Sequence, residues 1–93
     1  MQTELARVRA KVHGRVQMVG FRDFVVRHAR SLKVAGTVRN SSDGTVECVL
    51  EGSHSEVERM LQLLREGPRA ARVDRVDVEH EQATGALGPM EVR

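Results

Sequence analysis

Two stretches with apolar residues at helical spacing constrain the fold of this chain more than any other feature of its sequence. In the first, side chains recur at i, i+3, i+4, i+7, i+8 and i+11, the spacing of one helix stripe: Phe21, Phe24, Val25, His28, Ala29 and Leu32. In the second, the spacing i, i+3, i+4 and i+7 returns: Val57, Met60, Leu61 and Leu64. Each stripe has to be buried against another element, so the sequence predicts two amphipathic helices packed on a shared partner.

Segments with the periodicity of β-strands flank both predicted helices. Apolar and basic side chains alternate over residues 7–12, and apolar residues recur at every second position over residues 46–50. Further strands are predicted over residues 34–40 and 72–80. Between two of these strands, Ser-Ser-Asp-Gly at residues 41–44 predicts a tight hairpin turn in which the Asp and the Gly take positive φ.

The predicted elements follow the order βαββαβ. Two crossover helices around a central hairpin give the ferredoxin-like arrangement, an α+β sandwich with both helices on one face of an antiparallel sheet. The odd spacing of Val73 and Val76 indicates a β-bulge in the last of these strands. After a loop over residues 82–89, the segment 90–93 can add a short fifth strand. At 93 residues the chain has room for one core, so we expect one domain over residues 1–93.

Charge and cysteine content limit the classes of function. The net charge is +2, but residues 1–40 carry nine basic and two acidic side chains, so an anionic ligand is expected to meet this half. A single cysteine, Cys48, excludes a disulfide framework and a site built on several thiolates, and the four histidines have no ligand spacing. No apolar run approaches the ~18 residues of a membrane helix. We therefore expect a cytoplasmic protein with no metal, no cofactor and no membrane partner.

The loop between the first strand and the first helix, GRVQMVG at residues 14–20, carries the clearest sign of chemistry. A loop that leads into a helix presents unpaired backbone N–H groups, and the helix dipole adds partial positive charge there. Arg22 lies in the first turn of that helix, which predicts a site for phosphate. A packing turn whose Arg22 pairs with a neighbouring acid is the alternative on these residues alone. The loop lacks the Lys-Ser/Thr pair of a nucleoside-triphosphate site.

Two stretches resemble the signatures of the acylphosphatase family. VHGRVQMVGFR at residues 12–22 resembles aliphatic-x-G-x-V-Q-G-V-x-F-R, and GTVRNSSDGTV at residues 36–46, followed by Gly52, resembles G-aromatic-V-[KR]-N-x-x-x-G-x-V. The resemblance covers residues 5–93. It implies metal-independent hydrolysis of the carboxyl-phosphate bond of a small acyl phosphate. From the length of 93 residues we expect a stand-alone protein, and we expect it to act as a monomer.

The resemblance also implies roles for particular residues. Arg22 would anchor the phosphoryl group and Asn40 would orient the attacking water. The phosphoryl group would further be bound by the loop, whose backbone N–H groups belong to Arg15, Val16, Gln17, Met18, Val19 and Gly20. Neither signature offers a histidine or a carboxylate as an evident general base.

Two residues depart from the family pattern, and three other functions are alternatives. Met18 stands where the pattern has glycine, and a residue there with positive φ costs about 1–2 kcal/mol; Thr37 replaces an aromatic residue. A non-catalytic domain that binds acyl phosphates or small anions, its loop weakened by Met18, is one alternative. An accessory domain of a larger carbamoyl-phosphate-handling enzyme is another. Nucleic-acid binding on the sheet is disfavoured, because the chain has no Trp or Tyr and both Phe residues fit the helix stripe.

Overall fold

The computed structural model describes residues 4–93, which form five strands and two helices. In chain order these are β1 Leu5–Arg15, α1 Phe21–Leu32, β2 Ala35–Asn40, β3 Val46–Ser53, α2 His54–Glu66, β4 Arg72–Glu81 and β5 Glu91–Val92. The strands make one sheet in the order β4-β1-β3-β2-β5, and the first four pair antiparallel. Both helices cover the same face of this sheet, so the predicted ferredoxin-like sandwich is confirmed.

The inward side chains of the strands and the two helix stripes form one hydrophobic core. The strand residues that face the helices are at most 1% exposed: Val8, Ala10, Val12, Val38, Val46, Cys48 and Leu50. The rings of Phe21 and Phe24 lie 5.8 Å apart in this core, as their helical spacing predicts. Burial raises the pKa of the Cys48 thiol to about 12, so at neutral pH this side chain is a small buried hydrophobe. Within residues 4–93 neither helix has the length and apolar run needed to cross a membrane.

The fifth strand runs in a direction that the sequence did not reveal. Thr37 pairs with Glu91 and Val38 with Val92 in parallel register, so the sheet is mixed at this edge rather than wholly antiparallel. The direction follows from the topology, because β4 ends at the end of the sheet where β2 begins. A chain that crosses that end and then turns along β2 must run parallel to it. The segment over residues 82–90 makes this crossing.

A buried carboxylate holds the crossing segment in place. Glu51 is only 4% exposed, although strand alternation places it on the uncovered face of the sheet. Its carboxylate accepts hydrogen bonds from the N–H groups of Thr84, at 3.0 Å, and Gly85, at 2.9 Å. The guanidinium of Arg7 lies 3.7 Å away and supplies the opposite charge. The segment that the sequence identifies only as a loop is therefore tied to β3.

The hairpin turn between β2 and β3 differs from the predicted one. Gly44 takes positive φ, at 90°, but Asp43 does not, so the expectation of positive φ at both residues is wrong. The turn is wider because the Asp43 carboxylate accepts hydrogen bonds from the backbone N–H and the hydroxyl of Thr45, at 3.0 and 2.6 Å. The ammonium of Lys11 lies 2.8 Å from the same carboxylate, and these contacts hold the pKa of Asp43 well below its usual range.

A β-bulge bends the sheet where β1 leads into the loop. His13 pairs with Arg75 and Gly14 with Val73, so Asp74 is the extra residue on β4, and the predicted bulge is confirmed. Gly14 has φ 133°, and a Cβ atom there would lie 2.1 Å from the carbonyl oxygen of Arg72. Only glycine fits this close approach of two backbones. The bulge thereby fixes the direction in which the chain leaves β1.

Candidate active site

A cavity of about 410 Å³ lies where the end of β1, the start of α1 and the end of β2 meet. Five of the predicted site residues line it: Val16, Met18, Gly20, Arg22 and Asn40. Arg22 and Asn40 come from separate signatures of the sequence, and the fold brings them to one cavity. The other three predicted residues, Arg15, Gln17 and Val19, belong to the same stretch of chain but do not line the cavity.

The cradle loop, which we define as residues 16–20, presents backbone donors without partners. These residues form bends without hydrogen-bonded turns, and none of their N–H groups donates to an acceptor within residues 4–93. The start of helix α1 adds further N–H groups without partners. Its first internal hydrogen bond joins the N–H of Phe24 to the carbonyl of Gly20, at 3.0 Å, so the N–H groups before Phe24 are not used within the helix. Gly20, the N-cap, has φ 79° and provides no side-chain cap. The helix start and the loop therefore offer a continuous set of N–H groups and the positive end of a helix dipole.

Arg22 adds a cation to these donors. Its side chain is exposed, and no carboxylate in the described part of the chain lies within 4.0 Å of it. The neighbouring acid, Asp23, instead makes an i, i+4 pair with Arg27, with 3.2 Å between Oδ2 and Nε. The alternative of a packing turn in which Arg22 pairs with a nearby acid therefore does not match the structure. Arg22 lines the cavity, and its guanidinium makes no side-chain hydrogen bond or ion pair within residues 4–93, so its donors are available.

Asn40 contributes a buried acceptor. It is the last residue of β2, where its backbone pairs with Val46. Its side-chain Oδ1 is buried and has no hydrogen-bond partner within residues 4–93. An unpaired buried acceptor costs about 1–3 kcal/mol. Asn40 itself lines the cavity, so its side-chain amide lies beside the space that Arg22 and the loop enclose.

Gln17 holds the cradle loop against the strand end that carries Asn40. Its side-chain amide donates to the carbonyl oxygens of Ser41, at 2.7 Å, and Thr45, at 3.0 Å. Sequence reasoning assigned this residue only a backbone N–H, and it missed the side-chain role. The available signal was a lone amide within a loop of otherwise apolar and glycine residues.

Met18 occupies a position that requires a left-handed backbone. Its φ is 63°, and its side chain is 99% exposed. The strain expected from the departure at this position is therefore present, at about 1–2 kcal/mol. The chain accepts the cost, and residues 16–20 still present their N–H groups as described above.

The remaining wall of the cavity is mostly apolar, and sequence reasoning did not find it. Val26 lies on α1, one turn beyond Arg22, and Val92 comes from β5. The parallel docking of β5 on β2 brings Val92 to the site, so local periodicity gave no signal of it. Within residues 4–93 no three His, Cys, Asp or Glu side chains gather closely enough to hold a metal ion.

Comparisons with known proteins agree with the two signatures. Residues 8–88 match the model of the acylphosphatase family. The acylphosphatase of Salinibacter ruber is 48% identical over 87 residues, which cover 94% of this chain and 92% of that protein. The crystal structure of acylphosphatase from Bacillus subtilis superposes with a TM-score of 0.91 at 31% identity, covering 97% of this chain and 99% of that one. An acylphosphatase structure from Coxiella burnetii gives 0.93 at 32% identity, covering 100% and 99%. This chain belongs to the acylphosphatase family.

Proposed function

We propose that this protein hydrolyses the carboxyl-phosphate bond of acyl phosphates, giving a carboxylate and inorganic phosphate without a metal ion. One observation carries the proposal: Arg22, Asn40 and the cradle loop meet at a single cavity, each with hydrogen-bonding groups that the protein itself does not use. Because one chain supplies all of these groups, we propose that the protein acts as a monomer on a small-molecule substrate.

The phosphoryl group binds at the cradle loop and the start of α1. Backbone N–H groups donate to its oxygens, and the helix dipole and the Arg22 guanidinium balance its charge. Donors fixed by a backbone need no rearrangement when charge shifts in the transition state. Phosphoryl transfer depends mainly on such positioning and electrostatic stabilisation, so a site with few side chains is sufficient.

The attacking water binds at Asn40. The side-chain amide of Asn40 orients this water by a hydrogen bond, so that a lone pair of the water oxygen faces phosphorus. As the bond from the water oxygen to phosphorus forms, the bond from phosphorus to the acyl oxygen breaks, and the carboxylate leaves with the electron pair. The water's proton passes to a phosphate oxygen of the substrate. No protein base is required for this step, and Asn40 itself does not ionise.

The leaving group explains why the site is selective for acyl phosphates. A carboxylate with a pKa of roughly 4 departs as the anion, so it needs no general acid. An alkyl phosphate would release a strongly basic alkoxide and would need a proton donor. Among residues 4–93, the carboxyl group on the cavity wall is that of Asp23, and it is paired with Arg27. The site therefore fits activated anhydrides and not phosphate monoesters.

Hydrolysis of acetyl phosphate in the presence of EDTA tests the proposal. We expect turnover in the wild type, at least about a 100-fold loss of kcat/KM in Arg22→Ala, and a comparable loss of kcat in Asn40→Ala. Arg65→Ala is the matched control, because Arg65 is exposed on α2 and outside the cavity, and it should behave as the wild type. Phosphate binding without turnover in the wild type would instead support the non-catalytic anion-binding domain.

A further inference from the structure

A separate cavity of about 350 Å³ lies at the end of α1, whereas the candidate active site lies at the start of that helix. The residues that line it fall in two ranges, 30–35 and 87–90, so the end of α1 and the start of β2 face the end of the crossing segment. None of them lines the candidate active site. The volume lies in the range of small-molecule sites, so this cavity is a second place where the chain can hold a ligand.

Hydrogen bonds join the two sides of the separate cavity. The backbone N–H of Gly36 donates to the carbonyl of Gly88, at 3.1 Å. The side-chain Nε of Arg30 donates to the carbonyl of Met90, at 3.2 Å. These bonds fix the crossing segment relative to α1 and β2, so the cavity is preformed and binding requires little rearrangement of its walls.

Two cations line the separate cavity, and neither has an acidic partner. Arg30 and Lys33 are exposed, and no carboxylate within residues 4–93 lies within 4.0 Å of either side chain. Because the carbonyl of Met90 accepts only from Nε of Arg30, the two terminal nitrogens of this guanidinium are available as donors. Two parallel donors of this kind match the two oxygens of a carboxylate. The charge of the cavity therefore selects an anion.

The rest of the wall is apolar. Val34 and Met90 line the separate cavity and are 2% and 0% exposed, so they present apolar surface that belongs to the core. From the other side Leu87 and Pro89 contribute apolar side chains. Leu87 is half-buried and does not belong to the hydrophobic core described above. Contact with this wall favours a ligand that carries an apolar chain beside its charge.

We propose that the separate cavity binds a small monocarboxylate with an apolar chain. The carboxylate accepts hydrogen bonds from the terminal nitrogens of Arg30 and pairs with the ammonium of Lys33. The chain lies against Val34, Leu87 and Met90. Inorganic phosphate fits this cavity less well, because it leaves the apolar wall without a contact. The proposal does not depend on the proposed function, since the two cavities share no lining residue.

Titration of ¹⁵N-labelled protein with three probes tests the proposal. Octanoate carries both the charge and the chain, acetate lacks the chain, and octylammonium carries the opposite charge. We expect octanoate to give saturable amide shifts at residues 30–35, 87, 88 and 90, and acetate to bind at least about tenfold more weakly, which matches the burial of about two methylenes. Octylammonium should give no shifts there at the same concentrations. Octanoate shifts confined to residues 16–23, or octylammonium binding as tight as that of octanoate, would overturn the proposal.

Two substitutions separate the contribution of charge from that of apolar contact. Lys33→Asn removes a cation, and Asn tolerates the left-handed backbone of this residue, at φ 60°, so the variant should fold. We expect the Kd for octanoate to rise about fivefold in Lys33→Asn and in Leu87→Ser, and Leu87→Ser should leave the Kd for acetate unchanged. Arg65→Gln is the matched control, because it removes an exposed cation from the last turn of α2, outside the separate cavity. A Kd for octanoate that stays at the wild-type value in either Lys33→Asn or Leu87→Ser would overturn the proposal.

Discussion

The side-chain amide of Gln17 is expected to matter for both stability and turnover, because it joins the cradle loop to the end of β2. Replacing Gln17 with Ala removes two hydrogen bonds, of 2.7 Å to the Ser41 carbonyl and 3.0 Å to the Thr45 carbonyl. The loop would then lose its direct tie to the strand that carries Asn40. Phosphate and water would no longer be held in a fixed relation to each other.

The expected loss of unfolding free energy depends on the hydrogen bonds that each carbonyl retains in Gln17→Ala. A typical hydrogen bond contributes about 0.5–1.5 kcal/mol net, so two give about 1–3 kcal/mol. Neither acceptor is left unpaired, because Ser41 O still accepts from Gly44 N, at 3.1 Å, and Thr45 O from Ser41 N, at 2.9 Å. We therefore expect the lower part of the range, about 1–2 kcal/mol of unfolding free energy. Misplacement of reacting groups costs more in rate, and kcat should fall at least about tenfold.

Urea unfolding and acetyl phosphate kinetics on the same samples test this prediction. Gln62→Ala is the matched control, since Gln62 is an exposed glutamine on α2 that accepts a hydrogen bond from Arg59, at 3.3 Å. The control should change neither quantity. Should Gln17→Ala unfold within about 0.5 kcal/mol of the wild type and keep its kcat, the assigned link between loop and strand would be refuted.

Three other groups give measurable outcomes. Glu51→Gln replaces a carboxylate that is 4% exposed and accepts hydrogen bonds from two N–H groups of the crossing segment, so it should lower the unfolding free energy by about 2–4 kcal/mol. Limited proteolysis should then cleave residues 82–89 faster than in the wild type. An unchanged cleavage rate would contradict this prediction. The Lys11 and Thr45 contacts hold the pKa of Asp43 below its usual range, so this carboxylate stabilises the folded state fully above about pH 4 and less as the pH falls below that value. The urea midpoint of Asp43→Asn should therefore decrease less between pH 5 and pH 3 than that of the wild type. An equal decrease in both proteins would refute the prediction. The pKa of Cys48 is raised to about 12, so a disulfide reagent at pH 8 should label this thiol in urea and not in the native protein; fast native labelling would contradict its burial.

Most of the fold could be predicted from local pattern, because each helix stripe and strand alternation matched the element that formed. The odd spacing of Val73 and Val76 located the bulge for the same reason. The direction of β5 could not be predicted, since it depends on which end of the sheet the crossing segment passes. The burial of Glu51 could not be predicted either, because strand alternation places it on the face of the sheet without helices, and it is the crossing segment that covers it there. The turn was misjudged at Asp43, where a side chain competes with the backbone for hydrogen bonds.

The candidate site could likewise be predicted in part from the sequence. Arg22, Asn40 and the cradle loop lie within two short signatures, so the sequence alone brought them forward. The structure adds that they line one cavity and that the acid next to Arg22 is paired elsewhere. The hydrogen bonds of the Gln17 side chain and the apolar wall at Val92 depend on contacts between distant segments. Such contacts between distant segments cannot be predicted from the local spacing of residues.

Binding of inorganic phosphate, followed by amide chemical shifts in ¹⁵N-labelled protein, tests most directly that the cradle loop and Arg22 form the phosphoryl site. We predict the largest shifts at residues 16–20 and at the first residues of α1, with binding kept in Asn40→Ala and lost in Arg22→Ala. The separate cavity of about 350 Å³ lies beside Lys33 and Leu87. Shifts centred on that cavity, or binding unchanged in Arg22→Ala, would contradict the assignment.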